Sequence, residues 1–321
     1  GDLGREPSPQ AGRLGGANGW DSGAFLERLA RAKATGEPDR VKAVRREVAE
    51  HNYEIRHRWP VPRTSYVTAD SVLQRRMPSF QAEAPVVSFS NATTADAVQM
   101  LARASRRPRI CALNFANGVK VGGGYKTGAL AQEEDLCRRI PSLFTSLFNA
   151  QRDGCYPFGP GTCSSPSRPE KYCDVLWTPG VAVARAGEEQ GFALLPPEEQ
   201  DTVWLVAAAA PNVRFARPKD IKDPALMYDT VKTIFISPRM MEPDINTLVL
   251  GAWGCGAFGG DPHEVSELFC KALSRDGLGR LYKEVHFAIP RGGPQDRNGD
   301  VFREALRRHG ITVRELGTAR V

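Results

Sequence analysis

Gly122-Gly123-Gly124-Tyr125-Lys126-Thr127-Gly128-Ala129-Leu130-Ala131-Gln132-Glu133-Glu134 is the stretch that decides how this chain reads. Three glycines let backbone N–H groups approach an anion, because no Cβ intervenes and a positive φ is allowed. After a seven-residue spacer come Gln132 and two adjacent glutamates. Carboxylates are the usual acid–base groups for a glycosidic bond. The pattern does not fit the commoner nucleotide loops. Gly122, Gly124 and Gly128 miss the dinucleotide fingerprint by one position, and Tyr125 stands where a P-loop needs glycine before Lys-Ser/Thr. A phosphate cradle close to paired carboxylates calls for a substrate with both a diphosphate and a labile sugar bond, and an ADP-ribosyl group has both. The plain alternative is a surface turn ahead of an acidic first helical turn.

Outward from this stretch, strand-like and helix-like segments alternate. Pro85–Phe89 and Arg109–Phe115 read as strands, and further strands are expected at 173–178, 202–209, 246–252 and 284–289. Asn91–Asp96 offers caps for a helix running to about Ala104. Helices are also expected from about Gly128 to Asn149, near 262–274 and near 298–309. Pro141 should kink or restart the first of these. The alternation argues for an α/β sandwich whose ligand binds beyond the strand C-termini, where the glycine loop falls. Residues 1–20 read as a disordered tail. Residues 21–80 read as a helical extension packed on the core, with two helices separated at Gly36-Glu37-Pro38 and an extended connection after Pro60. The catalytic domain is expected over 81–321, interrupted by a long Gly, Pro, Ser and Cys-rich loop at 153–170.

Composition narrows the class. An apolar fraction of 41% and a charged fraction of 25% place the chain among ordinary globular proteins. No run of eighteen apolar residues occurs, so no membrane span is expected. The net charge of +6 fits a polyanionic partner (poly(ADP-ribose), nucleic acid or a nucleotide), or simply a solvated surface. The densest basic run, Arg103 to Arg109, falls at a helix end, where cations complement the helix dipole. Cys111, Cys137, Cys155, Cys163, Cys173, Cys255 and Cys270 lack metal-ligand spacing and read as reduced thiols of a cytoplasmic or nuclear setting.

The ordered blocks Asn114-Phe115-Ala116-Asn117, Gly122-Gly123-Gly124, Ala131-Gln132-Glu133-Glu134 and Leu136-Cys137-Arg138-Arg139 resemble the microbial-type poly(ADP-ribose) glycohydrolases, which are macrodomain proteins. The resemblance continues through Ala208–Asn212, Leu248–Gly259 with Asp261-Pro262, and Val285–Ile289 with Asn298. It spans about residues 85–310. Departures are Gly118-Val119-Lys120-Val121 in place of prolines, Pro141 after the acidic helix, and Gly260 where the family often has Asn. The resemblance implies an α/β fold, a three-layer α/β/α macrodomain with a mixed central sheet, preceded here by accessory helices. It implies a glycosidase that releases ADP-ribose from poly(ADP-ribose) or from ADP-ribosylated macromolecules. Glu134 would be the catalytic acid and Glu133 would hold ribose hydroxyls.

Other positions follow as candidates. Gly122, Gly123 and Gly124 would cradle the diphosphate from one side. Gly254, Cys255, Gly256, Ala257 and Phe258 would meet it from the other, with Phe258 stacking on the ligand or packing in the core. Asn114 and Asn117 offer amides to ribose hydroxyls, or serve as turn residues. Tyr125 is a candidate to cover a ribose, Gln132 belongs to the same ligand-binding motif, and Phe287 and Asn298 match the family's last block, though core packing explains Phe287 equally well. Neither metal nor cofactor is called for. Two other activities fit the same motifs: removal of a single ADP-ribose from an acceptor, and non-catalytic reading of ADP-ribose.

Overall fold

The computed structural model describes residues 19–104, 108–162 and 171–317. The tail expected at 1–20 therefore lies, through residue 18, outside the described residues, as do 105–107 of the basic run and 163–170 of the long loop.

Eight strands form one mixed sheet: β1 (Ser65–Val67), β2 (Val86–Ser90), β3 (Ile110–Ala116), β4 (Val175–Val183), β5 (Asp201–Ala209), β6 (Thr247–Leu250), β7 (Glu284–Ala288) and β8 (Val313–Glu315). Their spatial order is β1-β4-β5-β3-β6-β7-β2-β8. The pairs β1/β4 and β4/β5 are antiparallel, and every other neighbouring pair is parallel. β3 is central and buried on both faces, which is why its sequence is almost continuously apolar.

Alternate β3 side chains enter two separate cores. Cys111 and Leu113 join Phe235, Phe269 and Phe302 from α7 (Pro224–Met241), α8 (Pro262–Cys270) and α9 (Asn298–Arg308). Ile110 and Ala112 join Leu101, Leu136 and Leu147 from α4 (Thr94–Ala104), α5 (Gln132–Arg139) and α6 (Leu143–Arg152). The result is the α/β/α three-layer arrangement with a mixed central sheet.

The helix expected over 128–149 is two helices. Ile140-Pro141-Ser142 separates α5 from α6, because Pro141 has no N–H to continue the ladder. Gly128 adopts φ +80° and ends a short 3-10 turn, Tyr125–Thr127, and the α-helix starts only at Gln132. α7 has no counterpart in the sequence reading. It begins at Pro224 with Asp223 as a cap, accepting from the Ala225 and Leu226 amides at 2.9 and 3.0 Å. Its buried residues run consecutively from Thr233 to Pro238, so no single apolar stripe marks it. β1, β8 and the short α3 (Ala69–Leu73) are likewise absent from that reading.

The two N-terminal helices, α1 (Ser22–Ala34) and α2 (Pro38–Ile55), form a hairpin around Gly36, which has φ +70°. Phe25 and Leu29 pack with Val44, Val48 and Phe192. Arg45 and Lys33 both pair with Glu188, at 2.6 and 3.2 Å. The hairpin is thereby fastened to the turn after β4, and α2 lies against α5. Three loops converge beyond the C-termini of the parallel strands β5, β3 and β6: residues 210–223, 117–131 and 251–261.

Candidate active site

The site starts at the junction of β3 and α5. Gln132, the first residue of α5, ties the two together. Its Oε1 accepts from the Phe115 amide at 2.8 Å, and its Nε2 donates to Leu113 O at 2.7 Å and Thr94 Oγ1 at 2.9 Å. It sets the register that places the two glutamates against the end of β3.

Glu133 and Glu134 are both buried, at 3% and 7% exposure. Successive helical side chains diverge by about 100°, and the two carboxyls accordingly have different partners. Glu133 accepts from the Asn117 amide at 2.9 Å and from Asn114 Nδ2 at 3.3 Å. Burial pushes its carboxyl up to about 8, with the neighbouring Glu134 adding to the rise; the two hydrogen bonds oppose it. Glu134 Oε1 accepts from the Gly124 amide at 2.7 Å. Its second oxygen accepts no hydrogen bond among the described residues.

The triple glycine wraps over this pair. Gly122 and Gly123 have φ of +62° and +54°. A Cβ on Gly123 would lie 2.5 Å from Glu134 Oε1 and 3.3 Å from Glu133 Oε2. The glycines thus let the backbone lie directly on the carboxyls. Two of the three loop amides have partners within the protein. The Gly123 amide donates to Lys120 O at 3.0 Å and the Gly124 amide to Glu134, which leaves the Gly122 amide as the one not engaged within the triplet.

The second loop has the opposite character. Gly254 and Gly259 have φ of +74° and +76°, and the chain folds back through the Gly260 amide onto Gly254 O at 2.9 Å. Gly256 and Ala257 are exposed. Their amides, and that of Phe258, donate to no group among the described residues. Phe258 is half-buried and packs against the core. Cys255 directs its Sγ to Trp253 O at 3.5 Å. Three consecutive free amides on a loop ahead of α8 suit an anionic group.

Residues 40–186 match the model of the microbial-type PARG catalytic domain. The solved poly(ADP-ribose) glycohydrolase from Deinococcus radiodurans in complex with ADP-ribose is 30% identical, with TM-score 0.61, covering 76% of this chain and 94% of that one. The chain belongs to the microbial-type poly(ADP-ribose) glycohydrolase family. The poly(ADP-ribose) glycohydrolase from Thermomonospora curvata is similar at 26% identity and TM-score 0.66, covering 81% of this chain and 98% of that one. Among curated proteins the chain has no match. The family match begins inside α2, so α1 precedes the matched region.

Several of the candidate ligand-binding side chains have partners within the protein. Tyr125 is buried at 3% exposure. Its hydroxyl accepts from Asn52 Nδ2 at 3.2 Å and its ring lies against Phe144. Phe287 is fully buried and packs with Phe89, Phe269 and Phe302, so it is a core residue. Asn117 Oδ1 accepts from the Val119 and Lys120 amides at 3.0 and 2.8 Å, which makes it a turn residue. Asn298 opens α9, with its amide on Asp296 Oδ1 at 2.9 Å, and makes no bond to the glutamate pair. Asn114 stays at the pair, and its own Oδ1 is buried without a partner.

Sequence reasoning missed a supporting layer. Asn52 of α2 donates to the Tyr125 hydroxyl, Cys137 O and Arg138 O, and accepts from Arg185 Nε at 2.7 Å. Arg138, fully buried, donates to Ala129 O at 2.6 Å and closes the loop from below. Arg139 reaches Asp96, Gln99 and Arg185 O. A signal existed in the chain: His51 and Asn52 interrupt the apolar stripe Val44, Val48, Ile55, and a polar residue on a buried stripe needs a partner. Among the described residues, no group of three or more His, Cys, Asp and Glu side chains is placed to hold a metal ion, and no helix is long and apolar enough to cross a membrane.

Proposed function

We propose that the protein is a poly(ADP-ribose) glycohydrolase that hydrolyses ribose–ribose O-glycosidic bonds and releases ADP-ribose. The observation that carries this is the buried carboxyl pair under the triple glycine, with one oxygen of Glu134 unengaged. Family membership and the ADP-ribose bound to the Deinococcus radiodurans relative support the same ligand.

The chemistry follows from the two environments. Glu134, as the acid, gives its proton to the ribose oxygen that leaves. The C1–O bond breaks as positive charge develops at the anomeric carbon. The Glu134 carboxylate then takes a proton from water, the hydroxide adds at that carbon, and the acid is restored. The Gly124 amide fixes one carboxyl oxygen so that the other meets the substrate. Burial favours the neutral form of Glu133, so it donates to a ribose hydroxyl and adds no negative charge beside Glu134. Asn114 and the Asn117 amide hold it there. The free amides of Gly256, Ala257 and Phe258 receive the diphosphate.

The test is digestion of poly(ADP-ribose) with a chelator present. Release of free ADP-ribose is expected. Intact polymer beside a cleaved mono-ADP-ribosylated acceptor would make it a monomer hydrolase. If neither is cleaved while ADP-ribose binds, it is a reader.

A further inference from the structure

The loop after β5, residues 210–223, is a small built platform beside the proposed diphosphate loop. Asn212 and Asp220 pinch its base: the Asn212 amide donates to Asp220 Oδ2 at 2.8 Å and the Asp220 amide to Asn212 O at 3.2 Å. Asn212 Oδ1 also accepts from the Arg214 and Phe215 amides, at 3.2 and 2.9 Å. The Val213 amide donates to Phe258 O at 3.0 Å, and the Arg214 stem lies on Gly259. The loop is therefore fixed to the second glycine loop by backbone and side chain alike.

Its tip presents an unusual surface. Phe215 is 65% exposed, with the Arg214 guanidinium 5.0 Å from its ring centroid. Arg214, Arg217 and Lys219 are exposed, and none has an acidic partner among the described residues. Lys222, by contrast, pairs with Glu264, and the Asp220 carboxylate is committed to the loop base. A single exposed aromatic is ordinary. An exposed aromatic flanked by three uncompensated cations on a pinned loop has the chemistry of a stacking platform for bases on a polyanionic chain.

We infer that residues 214–219 bind the next ADP-ribose unit of the polymer, with Phe215 stacking on its adenine and Arg214, Arg217 and Lys219 meeting its diphosphate. This rests on the reading of the cleft as an ADP-ribose site. One ADP-ribose unit carries one diphosphate, which the free amides of the second loop receive. The three cations beyond that loop then have no charge to neutralise in a single bound unit. A polymer supplies both a second diphosphate and a second adenine. The loop thus makes polymer, not monomer, the preferred substrate class.

The experiment compares ADP-ribose with a purified ADP-ribose oligomer of fixed length, in a Glu134→Gln background so that the oligomer survives. Calorimetric titration should show the oligomer binding about tenfold or more tightly, as expected for one stacked base with added phosphate contacts. Phe215→Ala and the double variant Arg217→Ala/Lys219→Ala should each remove most of that advantage and leave ADP-ribose affinity unchanged. The double variant should also flatten the salt dependence of oligomer binding. All three residues are exposed, so circular dichroism should show an intact fold. Equal affinity for oligomer and monomer, or an oligomer advantage that survives both variants, would overturn the inference. So would an equal loss of ADP-ribose affinity, which would assign the loop to the unit in the cleft. If the unsubstituted protein releases no ADP-ribose while the oligomer advantage responds as expected, the glycohydrolase reading fails and this one stands.

Discussion

Two adjacent glutamates do different work because one helical step sends them into different surroundings. Glu133 faces Asn114 and the Asn117 amide, and burial holds its proton up to about pH 8. Glu134 faces the Gly124 amide and keeps an oxygen for substrate. As pH rises through about 8, Glu133 ionises and places a negative charge beside Glu134 and the incoming diphosphate. We therefore expect kcat/KM to fall above about pH 8, by about tenfold per unit for one ionisation. Glu133→Gln should lose that alkaline limb in a pH–rate profile, whatever its activity at neutral pH. An unchanged limb would assign it to another group. At this scale the sequence was legible where residue type alone carries the chemistry, as in the triple glycine and the carboxyl pair. It was not legible for Gln132 and Tyr125, while the core alternative for Phe287 was. Motif membership does not say which way a side chain points, and both turn into the protein.

Among the elements, α2 matters most for the site although it lies some eighty residues upstream. Asn52 touches the loop through Tyr125, the end of α5 through two carbonyls, and the end of β4 through Arg185. Asn52→Leu would leave several buried polar groups without partners. That should cost about 3 kcal/mol in denaturant unfolding. It should also lower kcat more than it weakens ADP-ribose binding, because the partners of Asn52 are Tyr125, the end of α5 and Arg185. Loss of stability with kcat unchanged would make α2 a purely structural support. The split of the expected 128–149 helix was readable from Pro141, because proline acts locally. α7 was not, because a helix buried on several sides shows no periodicity.

For the whole molecule, strand alternation along the chain implied an α/β sandwich, but the order of strands in the sheet is not written in any local pattern. The β2–β7 pairing shows what that order creates. It buries His286 between Ser88 and Ser90, with Nδ1 and Nε2 each 2.8 Å from a serine hydroxyl. Burial, then the Arg314 charge, lowers its pKa from 6.5 to about 4. The unfolded chain binds the proton below about 6.5 and the folded chain only below about 4. Stability should therefore rise with pH across that window, by about 3 kcal/mol from this group. Unfolding curves at pH 4.5 and 7 for the parent and His286→Gln should differ in slope with pH by that amount, and identical pH dependence would contradict the assignment. The central claim of the account is that Glu134 is the acid that cleaves polymer. The most direct measurement is single-turnover release of ADP-ribose from poly(ADP-ribose) by the parent and by Glu134→Gln, with ADP-ribose affinity measured alongside. The account predicts a rate loss of about 10²–10⁴-fold with affinity retained. Near-parental turnover by Glu134→Gln would contradict it.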